Sequence, residues 1–300
     1  MAADSPDRAT LAQVRRFNRT VTQRVGALDD SFLSRTRPLA QARILYEIDN
    51  GHNEVRRLRA ELDLDSGYLT RLLQALEREG LITIDEDPAD RRVRRANLTA
   101  AGRAERAEYE RLSDELAAGI LTALDEKQQQ TLLDAMATVD RLLTASMVEF
   151  AVVDPALPAA REATRRYLAE LDERFETGYD AEHAISATDD EVRLPRGLCL
   201  LATLHGEPVA FGLLKFAGDG TTHLKRMWVS RDVRGVGLGR RLLATLEAQA
   251  AAHGIHPVRL ETNRALTEAI ALYHSAGYVE VPAFNDEPHG DHWFEKRLYA

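Results

Sequence analysis

The chain has 300 residues, enough for two domains, and its 44% apolar content suffices for a core in each. Its 39 Lys and Arg against 48 Asp and Glu leave a net charge of -9, which excludes indiscriminate nucleic-acid binding and confines any DNA contact to a local cluster. The longest apolar run, residues 198–204 broken by Thr203, falls far short of the ~20 residues of a membrane span, and Cys199 is the only cysteine, which excludes an internal disulfide or a paired-cysteine zinc site.

In the first half, Leu11, Val14, Phe17, Val21, Val25 and Leu28 recur at three and four, which predicts a helix. Pro38 opens another over residues 39–48, Gly51 breaks it, and Asn53 is placed to cap a short helix ending at Leu62. After the turn Asp63-Leu64-Asp65, Ser66 is placed to cap the next helix. That helix turns Leu69, Leu72, Leu73 and Leu76 inward, leaves Tyr68, Thr70, Arg71 and Gln74 outside, and stops at Gly80. Two short helices joined by a tight turn, the second with a polar face, are what reading a major groove requires. Residues 81–84 are β-prone, 85–90 are turn-rich, and Arg91-Arg92-Val93-Arg94-Arg95 leads back to Leu98. This hairpin carries the one dense basic cluster, suited to a minor groove or to phosphates. Two long amphipathic helices follow, the first with Leu112, Leu116 and Ile120, the second with Leu132, Leu133, Met136, Val139, Leu142 and Leu143. So much apolar surface predicts a dimer interface.

The segments Leu69-Thr70-Arg71-Leu72, Gly80-Leu81-Ile82, Asp90-Arg91-Arg92 and Leu98-Thr99-Ala100-Ala101-Gly102-Arg103 resemble the winged-helix MarR family of regulators, over roughly residues 8 to 148. One departure is Ile84 followed by Asp85, Glu86 and Asp87, where the family commonly carries an arginine. The resemblance implies a homodimer reading two half-sites of double-stranded DNA about one helical turn apart, ~34 to 36 Å. It implies Ser66, Tyr68, Thr70, Arg71, Gln74, Arg91, Arg92 and Arg94 as the DNA-contacting residues.

Around residue 150 the pattern changes. Val148, Phe150, Val152 and Val153 alternate as in a strand, and Asp154-Pro155 with Pro158 marks a break, placing a domain boundary between 148 and 149. A helix with Tyr167, Leu168, Leu171 and Phe175 is followed by strands 197–204 and 209–216 around the turn His205-Gly206-Glu207-Pro208, then by a third strand, 223–229. That strand leads into Arg234-Gly235-Val236-Gly237-Leu238-Gly239 and a helix with Leu242, Leu243 and Leu246 on one face. Glycines at 235, 237 and 239 let successive backbone N–H groups converge on one oxyanion, and the positive helix end reinforces them. The run matches neither the G-x-x-x-x-G-K-S/T loop nor the G-x-G-x-x-G loop.

Together with the strand 258–262, Asn263, the run Ala269-Ile270-Ala271-Leu272-Tyr273-His274-Ser275-Ala276-Gly277-Tyr278 and the ending 292–298, this loop resembles the GNAT acetyltransferase superfamily over about residues 150 to 300. The expected fold is thus a mainly α winged helix-turn-helix over 1–148 and an α/β (α+β) GNAT domain with a mixed, largely antiparallel sheet over 149–300. The resemblance implies an acetyl-CoA site. Gly235, Val236, Gly237, Leu238 and Gly239, with Arg234 and Arg240 nearby, would take the pyrophosphate, the backbone of Trp228 and Val229 the pantetheine arm, and Asn263 the coenzyme arm or an ordered water. Tyr273, a phenol protonated at neutral pH, is the candidate acid for the leaving thiolate, and the Val229 N–H would face the carbonyl oxygen. His223 and Glu261 compete as the base that deprotonates the amine. Tyr179, Asp180, Phe284, Asn285, Asp286 and His289 fall on loops expected around the acceptor mouth. The reading is an acetyl-CoA-dependent N-acetyltransferase acting on the primary amine of a small molecule, fused to a DNA-binding regulator. The alternative is a regulator whose acetyltransferase fold senses acetyl-CoA or acetylates protein lysines. No metal and no membrane partner is expected, and the opening residues lack a signal-peptide pattern, which predicts a cytoplasmic location.

Overall fold

A computed structural model describes residues 6–26, 33, 35, 37–176, 178–180, 183–185 and 187–298, and the chain divides into two compact units, Met1–Asp134 and Ala135–Ala300. Helix α1 (Arg8–Arg24) is capped by Asp7, whose carboxylate accepts from the Thr10 N–H at 2.7 Å. Its stripe of Leu11, Val14, Phe17 and Val21 remains 39% to 53% exposed, and Leu28 lies outside the described residues.

Helices α2 (Leu39–Asp49), α3 (Val55–Glu61) and α4 (Ser66–Arg78) bury Ile44, Leu45, Leu58, Leu69 and Leu76 against one another. The hairpin of β1 (Ile82–Glu86) and β2 (Arg94–Leu98) closes that core with Ile82 and Ala96. Two caps differ from expectation. Glu54, not Asn53, precedes α3, because Asn53 is drawn to the hairpin: its carbonyl accepts from the Ala96 N–H at 2.8 Å and its side chain pairs with Asn97 and Arg95. Asp65, not Ser66, caps α4, since its carboxylate sits three residues before the Tyr68 N–H and accepts from it at 2.8 Å. Thr99 caps α5 (Ala100–Leu121) by accepting from the Gly102 N–H. A side chain at Gly102 would stand 2.0 Å from the Leu81 carbonyl oxygen, which accounts for the small residue there. Along α6 (Glu126–Ser146) no residue is buried, and Leu133, Met136, Leu142 and Leu143 are 46% to 58% exposed.

The second unit holds β3 (Glu149–Val153), α7 (Pro158–Arg174), β4 (Gly197–Leu204), β5 (Glu207–Phe216), β6 (Thr222–Val229), α8 (Leu238–Ala252), β7 (Val258–Thr262), α9 (Thr267–Ser275), β8 (Val279–Val281) and β9 (His292–Lys296). Phe175 falls one residue beyond α7 as its C-cap. The sheet runs β3-β4-β5-β6-β7-β9-β8, antiparallel at every step except β6 to β7. Leu242 and Leu246 of α8 belong to the cluster on one face with Leu198, Leu200 and Leu214; Ala160 and Ala163 of α7 pack with Cys199, Leu201 and Phe211 on the other. A sheet covered on both faces explains why β4 reads as a continuous apolar run.

Strand β6 departs from its own alternation. Leu224 packs with the α8 cluster and Trp228 with the α7 cluster, although four residues apart they should share a face. The pairings Phe211↔Trp228 and Leu213↔Lys225 leave one extra residue on β6, and Arg226 stands at φ +52° within it. This is a β-bulge, which bends the strand. Pairing with β7 is confined to Thr222↔Val258 and His223↔Arg259, so the ladder between β6 and β7 ends just ahead of the bulge. Among the described residues, no helix is long and apolar enough to cross a membrane.

Candidate active site

Two cavities lie along β6, and the smaller of them also reaches β7. The larger, about 410 Å³, is lined by Trp228, Val229, Arg234, Gly235, Gly237, Leu238, Gly239 and Arg240. The smaller, about 100 Å³, is lined by Lys225, Arg226, Glu261, Asn263, Tyr179 and His289 among others. Tyr167, Leu171, Met227, Leu266, Ala269 and Tyr273 line both.

The start of α8 fits an anion. Gly235 and Gly237 sit at φ +81° and +79°, a region that L side chains rarely enter, and a Cβ on either would project into open space. Gly237 is the N-cap and offers no side-chain bond, so the first-turn amides of Leu238, Gly239 and Arg240 remain for an external acceptor. Between the glycines, Val236 packs against the core cluster and anchors the loop.

The side chains of the residues expected around the coenzyme make bonds within the protein. Arg234 folds back: its Nε and Nη2 donate to the Val229 carbonyl at 2.9 and 2.8 Å, and Nη2 to both Glu170 oxygens at 2.7 Å. Arg240 donates to Ser275 at 2.8 Å, tying the α8 start to α9. Trp228 is buried and its indole N–H donates to Glu170 at 3.0 Å. Burial works to raise the Glu170 pKa, but Arg234 and the indole outweigh it and the net direction is down. Asn263 spends its amide on its own loop, donating to the His289 carbonyl and accepting from the Ala265 N–H.

Of the three candidate catalytic groups, Tyr273 is buried where the cavities meet, and burial followed by the Glu261 charge pushes its phenol above the ordinary range. Glu261 faces the smaller cavity and forms an ion pair with Lys225, both almost fully buried, while Asn285 donates to its other oxygen at 3.4 Å. His223 lies on β6 outside the lining of either cavity, edge-on to Phe284 at 5.5 Å. Burial, then the Lys225 charge, lower its pKa and keep the imidazole neutral. Tyr179, His289 and Phe175 cluster at the smaller cavity with their rings inclined to one another, the Tyr179 and His289 centroids 4.8 Å apart. Sequence reasoning missed Lys225, Glu170 and Tyr167. Only the cross-strand partner of Glu261 and the packing of α7 reveal them, and neither has a spacing signature.

In the first unit, Ser66, Thr70, Arg71 and Gln74 are exposed on α4 and Tyr68 is half-buried. The Thr70 hydroxyl donates to the Ser66 carbonyl, and Arg71 stacks on the Tyr68 ring at 5.8 Å. Arg91, Arg92 and Arg94 are exposed on the hairpin, whereas Arg95 turns inward to Asp87 and Asn53.

A mixed sheet opened between two parallel strands, with an uncapped glycine-flanked helix start at its mouth, defines the second unit as an acetyltransferase fold, and the first unit is a winged helix-turn-helix. The acetyltransferase (GNAT) family model matches residues 162–278 and the MarR family model residues 38–93. An IAA acetyltransferase from Azospirillum brasilense is 30% identical over 131 residues, which is 43% of this chain and 84% of that relative. Among solved structures, one described as an acyl-CoA N-acyltransferase from Klebsiella pneumoniae is 26% identical with a TM-score of 0.42, spanning 51% of this chain and 99% of that one. An IAA acetyltransferase from Bacillus cereus is 17% identical with a TM-score of 0.36, spanning 50% of this chain and 99% of that one. The chain belongs to the GNAT acetyltransferase family and carries a MarR domain ahead of its acetyltransferase domain.

Proposed function

We propose that the protein transfers the acetyl group of acetyl-CoA to the primary amine of a small molecule, and that its winged helix unit binds double-stranded DNA as a homodimer, the functional boundary falling between residues 148 and 149. The observation that carries the catalytic part is the bare N-terminus of α8 at the mouth of a cavity that reaches Tyr273. The amides of Leu238, Gly239 and Arg240 hold the diphosphate, with each charge-assisted bond contributing roughly 1.5 to 3 kcal/mol. The larger cavity takes the pantetheine arm and the smaller one the acceptor, so the amine meets the thioester beside Tyr273. Tyr273 donates its proton to the departing sulfur. Glu261, facing the acceptor, takes the proton of the amine; its pairing with Lys225 holds the carboxylate in place. His223, outside both linings, is the second candidate for that role.

The test is a panel of amino acids, polyamines and aromatic amines scored for CoA release in the presence of acetyl-CoA. Steady release with at least one free amine supports the reading. Release with none of them, alongside tight acetyl-CoA binding that shifts DNA affinity, would establish the sensor instead.

A further inference from the structure

In the winged helix unit, Glu47 near the end of α2, His52 in the following loop and Glu61 at the end of α3 each bring one ligand atom to a common point, all within 4.8 Å of one another. His52 Nδ1 lies 3.0 Å from Glu47 Oε2 and also contacts Glu61 Oε2. The Glu47 and Glu61 side chains are 6% and 11% exposed, whereas His52 at 31% keeps a path to solvent. The outer carboxylate oxygens are held from behind, Glu47 Oε1 by Arg43 at 2.7 Å and Glu61 Oε1 by Arg57 at 3.0 Å. An imidazole carries at most one proton on Nδ1, so that nitrogen cannot donate a full hydrogen bond to both carboxylates. Two inward carboxylate oxygens and a ring nitrogen therefore converge where a single cation would serve all three.

We infer that Glu47, His52 and Glu61 bind a divalent first-row transition metal. One nitrogen and two oxygens without a thiolate suit Zn²⁺ or Mn²⁺. Arg43 and Arg57 orient the ligating carboxylates, and the solvent side of His52 leaves room for water to complete the coordination. The ion takes the Nδ1 lone pair, so any proton there is released to solvent. The site also reaches the wing. Asn53, next to His52, accepts from the Ala96 N–H and from Arg95 and donates to Asn97, so an ion on His52 fixes the strand that carries Arg94.

The full chain, stripped with chelator, is titrated separately with Zn²⁺ and Mn²⁺ by calorimetry, alongside His52→Ala and Glu61→Gln. One ion per chain is expected for the wild type. Binding at this site is expected to be at least ~10-fold weaker in each variant, a loss no smaller than that for disturbing an orienting partner. The ion is also expected to raise the wild-type melting temperature but not that of Glu61→Gln, which keeps the shape of the side chain. No heat with either ion overturns the inference, as does equal affinity and stoichiometry in the wild type and both variants.

Discussion

Tyr273 stands where both cavities meet, and burial holds its phenol protonated well past neutral pH. Tyr273→Phe is expected to lower kcat by roughly 100-fold, the low end for loss of a positioned acid, with little change in CoA affinity. Unchanged turnover removes Tyr273 from that role. Because its pKa is raised, deprotonation begins above the ordinary phenol value, so the wild-type kcat should show no falling limb below about pH 10. A limb that falls earlier and vanishes in Tyr273→Phe contradicts the assignment. Gly237 invites a second change: Gly237→Ala places a methyl in the open space above the α8 start and strains a φ of +79° by roughly 1 to 2 kcal/mol. CoA affinity should fall with it, while the cavity around Tyr273 is left intact.

At the scale of elements, the hairpin of β1 and β2 offers Arg91, Arg92 and Arg94 to solvent while Asp87 and Asn53 retain Arg95. Arg92→Ala should reduce the log-log salt slope of DNA binding by ~0.9 for one lost phosphate contact. An unchanged slope means the wing does not touch the backbone. In the acetyltransferase domain, Lys215 and the Thr188 N–H hold Glu191 at a pKa of about 2, below its ordinary 4.5. A depressed carboxylate stabilises the fold above its unfolded pKa and loses that contribution as pH falls through the folded one. Glu191→Gln should therefore flatten the loss of stability between about pH 4.5 and 2, measured by urea unfolding at stepped pH. Equal acid sensitivity in the variant means the pair contributes nothing.

These elements also show what was legible in the chain. The buried stripe of α4, the hairpin turn and the glycine loop are local patterns with fixed periods, so the sequence alone located them. The bulge at Arg226 was hidden, because it inverts the facing of β6 without any glycine or proline to mark it. The pairing of Lys225 with Glu261 joins strands 36 residues apart, and Glu47, His52 and Glu61 converge from two helices and a loop. Neither has a spacing to read. Arg234 was expected at the pyrophosphate from its place in the motif, but Glu170, contributed by α7, draws it back onto the Val229 carbonyl.

For the whole molecule, α1 and α6 each carry a row of exposed apolar side chains among the described residues, with Phe17 46% and Leu142 58% exposed. A dimer through these helices removes that surface from water, at roughly 25 cal/mol per Å². Phe17→Glu combined with Leu142→Glu should convert a dimer to monomers in sedimentation and abolish cooperative operator binding, while acetyl transfer continues. A wild-type monomer, or a variant that remains dimeric, contradicts that assembly. The most direct test of the account is a crystal structure with coenzyme A. It should show diphosphate oxygens within hydrogen-bonding distance of the amides of Leu238, Gly239 and Arg240, with the thiol end beside Tyr273. Coenzyme bound elsewhere, with that helix start untouched, would contradict the catalytic assignment.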